Sequence, residues 1–257
     1  MKNPYLKNLS KIEFVLTSAC TGRCKHCSQG DHNLEKALMI DADLAAEAVK
    51  KVSSEYEINT VMTFGGEPLL HPEAVYKIMN AAKEMKVKKR QLITNGFFTR
   101  KKEDILSTVK MLSDCEINDL LLSVDAFHQE HVPLETVKEF ALEAKNQGIP
   151  IRLQPAWLVS REDRNLYNEK TKKLLLEFEA SEIYPNEGNV IFPEGNALKY
   201  LSKYFSKSLP ENPYIEDPRD VKCLSFSPNG EVLDGNFYKS DIMEIIKNYS
   251  PREDSLD

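Results

Sequence analysis

The feature that most constrains the fold is a short apolar run followed by an amphipathic helix, a pattern repeated along most of the 257 residues. Strand and helix patterns that alternate in this way indicate parallel βαβ units. Six such units suit an α/β fold in the form of a partial (β/α)6 TIM-like barrel, whose site lies at the carboxyl ends of the strands. The predicted strands cover residues 12–16, 61–64, 91–93, 120–125, 151–154 and 182–184.

The pattern changes after residue 206, which divides the chain into a barrel over residues 1–206 and a C-terminal extension over residues 207–257. Within the extension, residues 223–237 contain an Asn229-Gly230 pair between two strand-like segments and predict a β-hairpin. Ser240 is the predicted cap of a last helix. We expect the hairpin and this helix to pack on the barrel.

The composition disfavours several classes of protein. A formal net charge of −6 argues against a protein that binds nucleic acid. The N-terminus lacks the apolar core of a signal peptide, and no apolar run approaches a membrane span. With five cysteines, three of them in one short loop, the chain does not resemble a secreted disulfide scaffold. We therefore expect a cytoplasmic protein that acts on a small molecule and has neither a nucleic-acid nor a membrane partner.

Three cysteines, Cys20, Cys24 and Cys27, lie within eight residues just after the first predicted strand. A [4Fe–4S] cluster in a simple electron carrier takes four cysteine ligands. Three ligands in one loop leave one iron without a protein ligand, and an open coordination site is what a metal centre needs to bind a substrate. The alternative is a zinc site made by the same cysteines with His26 or His32.

A second motif, Gly65-Gly66-Glu67-Pro68, follows the second predicted strand. The two glycines allow the backbone to approach a ligand closely. Glu67 supplies a carboxylate for an ammonium group, and Pro68 restricts the residue before it to an extended shape. The alternatives are an ordinary strand-to-helix turn for the glycines and, for Glu67, a solvated carboxylate near a helix start.

The two motifs together, Cys-x3-Cys-x2-Cys and Gly-Gly-Glu-Pro in this order, resemble the radical S-adenosylmethionine (radical SAM) superfamily. The resemblance implies that Cys20, Cys24 and Cys27 hold a [4Fe–4S] cluster whose open iron binds SAM. It implies that the cluster reductively cleaves SAM to a 5′-deoxyadenosyl radical, and that residues 65–68 hold the SAM amino group. It further implies a (β/α)6 barrel open on one side, and an electron donor such as a flavodoxin or ferredoxin as a partner.

Polar residues at the predicted strand ends are further SAM-binding candidates under this resemblance. Asn95, Ser123 and Asp125 end strands three and four, and Gln154 ends strand five. Asn95 and Ser123 also suit turns, and Asp125 also suits a cap for the next segment. His26 stands where the superfamily often has an aromatic residue near the adenine.

Two residues are candidates for catalysis or substrate contact. His128 follows strand four and suits acid–base chemistry, although histidines in surface loops are commoner. Asp234 offers a polar contact if the hairpin closes the open side of the barrel, and otherwise forms the turn. The extension resembles the start of the cysteine-rich extension of peptide-modifying superfamily members. Only Cys115 and Cys223 remain outside the loop, so we expect no auxiliary cluster.

The predicted activity is hydrogen abstraction from a small molecule that is shielded from water. Among superfamily members, the short chain and the few cysteines favour an enzyme similar to the queuine lyases, which salvage queuine by radical cleavage to 7-aminomethyl-7-deazaguanine. The alternatives within the superfamily are a peptide-modifying maturase and an activase of a glycyl-radical enzyme. The alternative from another class is a zinc-binding module without catalysis.

Overall fold

The computed structural model describes residues 2–30, 36–205 and 212–251. Two sequence predictions fall outside these residues: His32 as a zinc ligand, and the exact boundary between residues 206 and 207. Within the described ranges, no helix combines the length and apolarity that crossing a bilayer requires.

Strands and helices alternate from the N-terminus, as the sequence pattern predicts. The strands are β1 (Lys11–Val15), β2 (Thr60–Phe64), β3 (Lys89–Thr94), β4 (Asp119–Ser123), β5 (Ile151–Gln154), β6 (Ala156–Trp157), β7 (Asn189–Val190), β8 (Cys223–Phe226), β9 (Glu231–Val232) and β10 (Gly235–Asn236). The helices are α1 (Ala42–Glu55), α2 (Pro72–Glu84), α3 (Lys102–Asp114), α4 (Leu134–Asn146), α5 (Leu166–Leu176), α6 (Gly195–Leu201) and α7 (Ile242–Asn248).

Six strands form one parallel sheet in the order β5-β4-β3-β2-β1-β8. Helices follow the successive strands, which is the arrangement of a partial TIM-like barrel, and the six strands do not close on themselves. The α/β prediction is therefore confirmed. Parallel strands need long crossover connections, and α1 to α4 supply them.

The identity of the sixth strand differs from the prediction. Residues 182–184 do not form a strand: a 3-10 turn covers Glu179–Ser181, and Glu182 adopts a left-handed backbone with φ 50°. The sixth strand is β8, which lies beside β1 in the register Lys11 to Cys223. The hairpin predicted over residues 223–237 is thus wrong in its first half, since only β9 and β10 pair antiparallel.

The helices end and begin at the residues that their chemistry favours. Asp41 caps α1 by accepting hydrogen bonds from the backbone N–H groups of Asp43 and Leu44. Gly148 follows α4 with φ 73°, the left-handed conformation that a helix C-terminus favours. The cap of α7 is Asp241, which accepts from Met243 N–H, and not the predicted Ser240. Apolar faces of α1 to α4 pack on the outer face of the sheet in one core cluster.

The register of the strands arranges their inward side chains in layers, because alternate residues of a strand point to the same face. Glu13, Met62 and Gln91 are paired neighbours on β1, β2 and β3 and form the lower layer. Two residues further along these strands come Phe64 and Ile93, with Leu121 of β4 beside Ile93. Polar residues at the ends of β3 to β5 lie above this apolar layer.

Candidate functional site

A cavity of about 560 Å³ lies along the inward face of the sheet, and residues from the carboxyl ends of the strands line part of it. Its lining contains most of the residues that the sequence singles out: Cys20, Cys24, His26, Cys27, Gly65, Gly66, Asn95, Ser123, Asp125, His128 and Gln154. Residues from separate βα units thus meet in one place.

The three cysteines of the loop and Gly22 line the same cavity. A Cβ atom added to Gly22 would lie 3.2 Å from Cys24 Sγ and 3.6 Å from Cys20 Sγ, so both thiols lie close to Gly22 and a side chain there would crowd them. Gly22 N–H also donates to Cys20 Sγ at 3.3 Å. Thiolates are the ligands that iron–sulfur clusters take, and the loop fits such a cluster.

Burial favours the protonated form of the Cys20 and Cys24 thiols. Burial, with the nearby Glu67 carboxylate as a second cause, raises the pKa of Cys20 to about 12. Burial and the neighbouring Asp125 raise the pKa of Cys24 well above its ordinary value. A thiolate metal ligand must lose its proton, so metal binding at this loop releases protons and strengthens with rising pH.

The two glycines of the second motif allow it to contact the cysteine loop. Gly66 has φ 57°, and a Cβ atom there would lie 2.1 Å from the carbonyl oxygen of Ala19 and 2.6 Å from that of Thr17. At this close approach Glu67 N–H donates to the Ala19 carbonyl at 2.7 Å. The residue before Cys20 is therefore attached directly to the end of β2.

The Glu67 carboxylate faces the protein interior instead of the cavity. One oxygen accepts from Thr94 Oγ1 at 2.6 Å and from Leu69 N–H at 2.9 Å, and the other accepts from Asn95 N–H at 2.8 Å. Burial raises the pKa of Glu67 to about 7, although these three hydrogen bonds oppose the rise. Pro68 is also buried and begins a 3-10 turn. The acid thus connects the ends of β2 and β3.

Three of the predicted SAM-binding residues form a polar layer at the strand ends. Asn95 donates from Nδ2 to Thr21 Oγ1 at 3.1 Å, and the same nitrogen lies 3.7 Å from Cys20 Sγ. Ser123 and Gln154 are paired neighbours on β4 and β5. Gln154 Oε1 accepts from Asn186 Nδ2. All three line the cavity next to the cysteine loop.

Asp125 and His128 form a hydrogen-bonded pair at 2.7 Å between Oδ2 and Nδ1. The same carboxylate accepts from the backbone N–H groups of Phe127, His128 and Ala156. Burial alone would lower the pKa of His128, but the adjacent Asp125 charge raises it above its ordinary value. Asp125 thereby fixes the loop after β4, in line with the capping alternative, while His128 lines the cavity.

His26 lies against an aromatic cluster beside the cysteine loop. Its ring centroid is 5.0 Å from that of Phe127 and 4.8 Å from that of His128. Burial lowers the pKa of His26 to about 4, and its buried Nδ1 has no hydrogen-bond partner. Ligand atoms of Cys24, His26 and His128 lie within 4.8 Å of one another, so a Cys-His-His set also fits a metal ion such as zinc.

Two residues considered in the sequence lie elsewhere. Asp234 belongs to the turn between β9 and β10 and is not part of the cavity lining. Cys115 is fully buried at the end of α3, and its thiol donates to the Leu112 carbonyl. The structure therefore does not bring the catalytic candidate Asp234 to the site.

Sequence reasoning missed the lower half of the cavity. Lys11, Glu13 and Gln91 line it from the inward faces of β1 and β3. The signal was present in β1, where Lys11 and Glu13 alternate with the fully buried Ile12 and Phe14. In a barrel whose interior holds a ligand, inward positions are polar, and the alternation then identifies the binding face.

A family model and several curated proteins match the sequence of this chain. A family model described as the Radical SAM superfamily matches residues 14–153. Among curated proteins, a probable GTP 3′,8-cyclase of Saccharolobus islandicus is 23% identical over 250 residues, which is 94% of this chain and 75% of that protein. One of Sulfolobus acidocaldarius is 28% identical over 169 residues, which is 63% of this chain and 51% of that protein.

Solved structures share the fold at low sequence identity. The structure of anSMEcpe with bound AdoMet matches with a TM-score of 0.58 at 16% identity, over 94% of this chain and 78% of that chain. BtrN in complex with AdoMet and 2-DOIA matches with a TM-score of 0.53 at 16% identity, over 95% of this chain and 84% of that chain. Both comparisons support the half-barrel architecture.

Proposed function

We propose, from the premise that this chain belongs to the radical SAM superfamily, that it abstracts a hydrogen atom from a small polar substrate inside the half-barrel. The protein is an enzyme, and its cofactors are a [4Fe–4S] cluster and SAM. When bound, these cofactors supply a one-electron cleavage that yields a 5′-deoxyadenosyl radical. Family membership excludes the zinc module without catalysis as the function of the chain.

The proposed cluster ligands are Cys20, Cys24 and Cys27. The observation that carries this assignment is that all three cysteines line one cavity of about 560 Å³, so their sulfur atoms can reach one shared inorganic group. The backbone bond from Glu67 to Ala19 holds the start of the loop in place. A preformed loop of this kind avoids the cost of ordering the ligands when the metal binds.

The proposed SAM contacts are the polar groups around the same end of the cavity. Asn95, Ser123 and Gln154 offer amide and hydroxyl groups, and Gly65 and Gly66 offer backbone carbonyls close to the loop. Glu67 acts through its neighbours, because its carboxylate positions Asn95 by accepting from the Asn95 N–H group. His26 and His128 present rings at the same end and complete the proposed set. Asp125 positions His128.

An apolar collar separates this polar end from the floor of the cavity. The collar consists of Phe64, Ile93 and Leu121, which line the cavity at one level of the sheet. Apolar side chains exclude water, and exclusion of water prevents side reactions of a reactive intermediate. We assign the collar the role of protecting the radical between its site of formation and the substrate.

The charges in the cavity define the class of substrate. Apart from the two histidines, the charged residues among the described lining are Lys11, Glu13, Asp125 and Glu194, of which only Lys11 is positive. Lys11 already pairs with Glu13 at 2.6 Å. A triphosphate needs several cations or backbone donors to replace its water. The relatives named GTP 3′,8-cyclases therefore do not indicate the substrate of this chain, and we propose a neutral or cationic one.

Queuine is the specific candidate, since it combines a neutral deazapurine base with a basic amine and falls within the proposed class. A cavity of about 560 Å³ is within the range of about 300–1,000 Å³ that ligand sites occupy. The maturase and the glycyl-radical activase remain the second candidates within the superfamily. Phe192 and Tyr214, whose rings lie 5.9 Å apart, also line the cavity.

The test is a substrate panel on anaerobically reconstituted protein. Enzyme with SAM and reduced flavodoxin is incubated with queuine, GTP or no addition, and the release of 5′-deoxyadenosine is measured with the consumption of each compound. We expect queuine to accelerate release and to be converted to 7-aminomethyl-7-deazaguanine, and GTP to be returned unchanged. Queuine that is recovered intact, or GTP that is consumed, contradicts the proposed substrate.

A further inference from the structure

The floor of the cavity is a row of three side chains from neighbouring strands. Glu13 is paired with Met62 on β2, and Met62 is paired with Gln91 on β3. Strands in a sheet lie about 4.8 Å apart, which places Glu13 and Gln91 about 10 Å from each other. Met62 is between them, and all three line the cavity below the apolar collar.

Glu13 presents a hydrogen-bond acceptor to this space. Its Oε2 lies 2.6 Å from Lys11 Nζ, so the pair is neutral as a whole. The Cys223 thiol on the neighbouring strand β8 also donates to the Glu13 carboxylate, and burial together with this acidic neighbour raises the pKa of Cys223. The side chain of Glu13 retains 18% exposure, whereas the alternate residues Ile12 and Phe14 are fully buried. A partly buried carboxylate of this kind keeps acceptor capacity for a ligand that supplies N–H donors.

Gln91 offers an acceptor on the opposite side of Met62. Its Nε2 donates to Asp119 Oδ2 at 2.6 Å, which engages one N–H of the amide and fixes the position of the carbonyl oxygen. Asp119 is itself held by Lys89 at 3.4 Å and by Arg152. The amide is therefore fixed by the ion cluster at the amino ends of the strands.

We propose, building on the proposed function, that Glu13, Met62 and Gln91 form a recognition platform for a planar heterocycle with adjacent N–H donors on one edge. The Glu13 carboxylate accepts from that edge, because its two oxygens offer about four acceptor sites and Lys11 and Cys223 occupy only part of them. The Met62 thioether contacts the ring, since sulfur is polarizable and packs favourably on aromatic systems. Lys11 adds a donor for a neighbouring carbonyl group.

The platform that recognises the substrate lies at the opposite end of the cavity from the cysteine loop. The cysteine loop and its surroundings lie at the carboxyl ends of the strands, above the collar, whereas Glu13 and Gln91 lie below it. Residues of the platform therefore select the base, while the upper residues hold the cofactors. A change at Glu13 is expected to alter ligand preference and leave the cluster in place.

The test is a matched pair of ligands that differ by one donor group. 7-Deazaguanine carries an exocyclic amine next to its ring N–H, and 7-deazahypoxanthine lacks that amine. Dissociation constants for both are measured by calorimetry on anaerobic, SAM-loaded holoenzyme. For the unaltered protein we expect 7-deazaguanine to bind about 10-fold tighter or more, because a hydrogen bond to a charged group is lost without the amine.

Variants of the protein then test which side chain causes the preference for 7-deazaguanine. Glu13→Gln is expected to reduce the ratio of the two dissociation constants to about 2-fold or less, with unchanged iron content. Lys11→Gln is expected to keep the preference, because the carboxylate remains. Glu135→Gln is the control, since its side chain is 87% exposed on α4 and lies outside the cavity lining; it is expected to behave like the unaltered protein.

The outcomes separate this inference from the proposed function. A preference that survives Glu13→Gln, or failure of both bases to bind, overturns the platform. If queuine is returned unchanged while 7-deazaguanine binding still depends on Glu13, the platform stands and the proposed reaction on queuine fails. If queuine is cleaved with the same KM by the unaltered protein and by Glu13→Gln, the reaction stands and the platform fails.

Discussion

Replacement of Gly66 by alanine tests whether the contact between the second motif and the cysteine loop holds the site together. The new Cβ atom would lie 2.1 Å from the Ala19 carbonyl oxygen and 2.6 Å from that of Thr17. Both are backbone atoms, so relief requires the loop before Cys20 to move by about an ångström. Movement on this scale weakens the hydrogen bond from Glu67 N–H to Ala19.

The size of the effect follows from two contributions. A non-glycine residue in the left-handed region costs about 1–2 kcal/mol, and overpacking against a rigid neighbour costs about 1–3 kcal/mol more. Gly148 separates the two, since it has φ 73° and nothing lies within 4 Å of its added Cβ. Gly148→Ala bears only the first contribution. Any gain from a stiffer unfolded chain is the same for both variants and cancels in their difference.

The assay is urea unfolding of both metal-free variants, followed by iron and sulfide analysis after reconstitution. We expect Gly66→Ala to be less stable than Gly148→Ala by about 1–3 kcal/mol, with similar slopes against urea. Iron content should fall markedly only in Gly66→Ala. Equal stability of the two variants within about 0.5 kcal/mol, with equal iron content, would refute the coupling of the two motifs.

Three further outcomes follow from the site. Alanine at Cys20, Cys24 or Cys27 should each abolish the brown colour and the bound iron, whereas Cys115→Ala should retain both. Folding raises the pKa of Glu67 from 4.5 to about 7, so the folded state holds this proton more tightly than the unfolded state. The free energy of unfolding should therefore fall by about 3 kcal/mol as the pH rises from about 4.5 to about 7. Urea titrations at several pH values should show a smaller fall in Glu67→Gln. Asp125→Asn should lower the pKa of His128, measured by NMR, because the negative charge beside the ring is lost. The same change should destabilise the fold by about 1–3 kcal/mol, because an amide nitrogen cannot accept from Ala156 N–H.

The first five βα units could be predicted from the sequence because their signals are local. Asp41 at the start of α1 and Gly148 at the end of α4 act on the residues next to them. The cysteine spacing is local in the same sense. One short loop brings Cys20, Cys24 and Cys27 together whatever the rest of the chain does.

The sixth strand could not be predicted because its partner is distant along the chain. Cys223 pairs with Lys11 in a parallel register that no local signal specifies. The Asn229-Gly230 turn is present, with Gly230 at φ 89° and its N–H donating to the Ser227 carbonyl. It joins β8 to the two-residue strand β9. The predicted turn is therefore present, but the segments on its two sides do not form the predicted hairpin.

The direction of the Glu67 carboxylate has the same explanation. Its partners Thr94 and Asn95 lie at the end of the next strand, about 27 residues away. From the sequence, a carboxylate after two glycines suggests a ligand contact. In the folded chain, the buried donors of β3 take both of its oxygens, and the motif acts by holding Asn95 and Ala19 in place.

The two ends of the cavity therefore differ in how far apart their residues lie along the chain. At the upper end, motifs within a few residues of one another establish the cofactor chemistry, and they are the part that a family model recognises over residues 14–153. At the lower end, Glu13 meets Met62 and Gln91 only through strand register. A substitution on the inward face of β1 or β3 can alter the lower end without affecting the cysteine loop. Relatives at 23% identity can therefore share the radical chemistry and still differ in substrate.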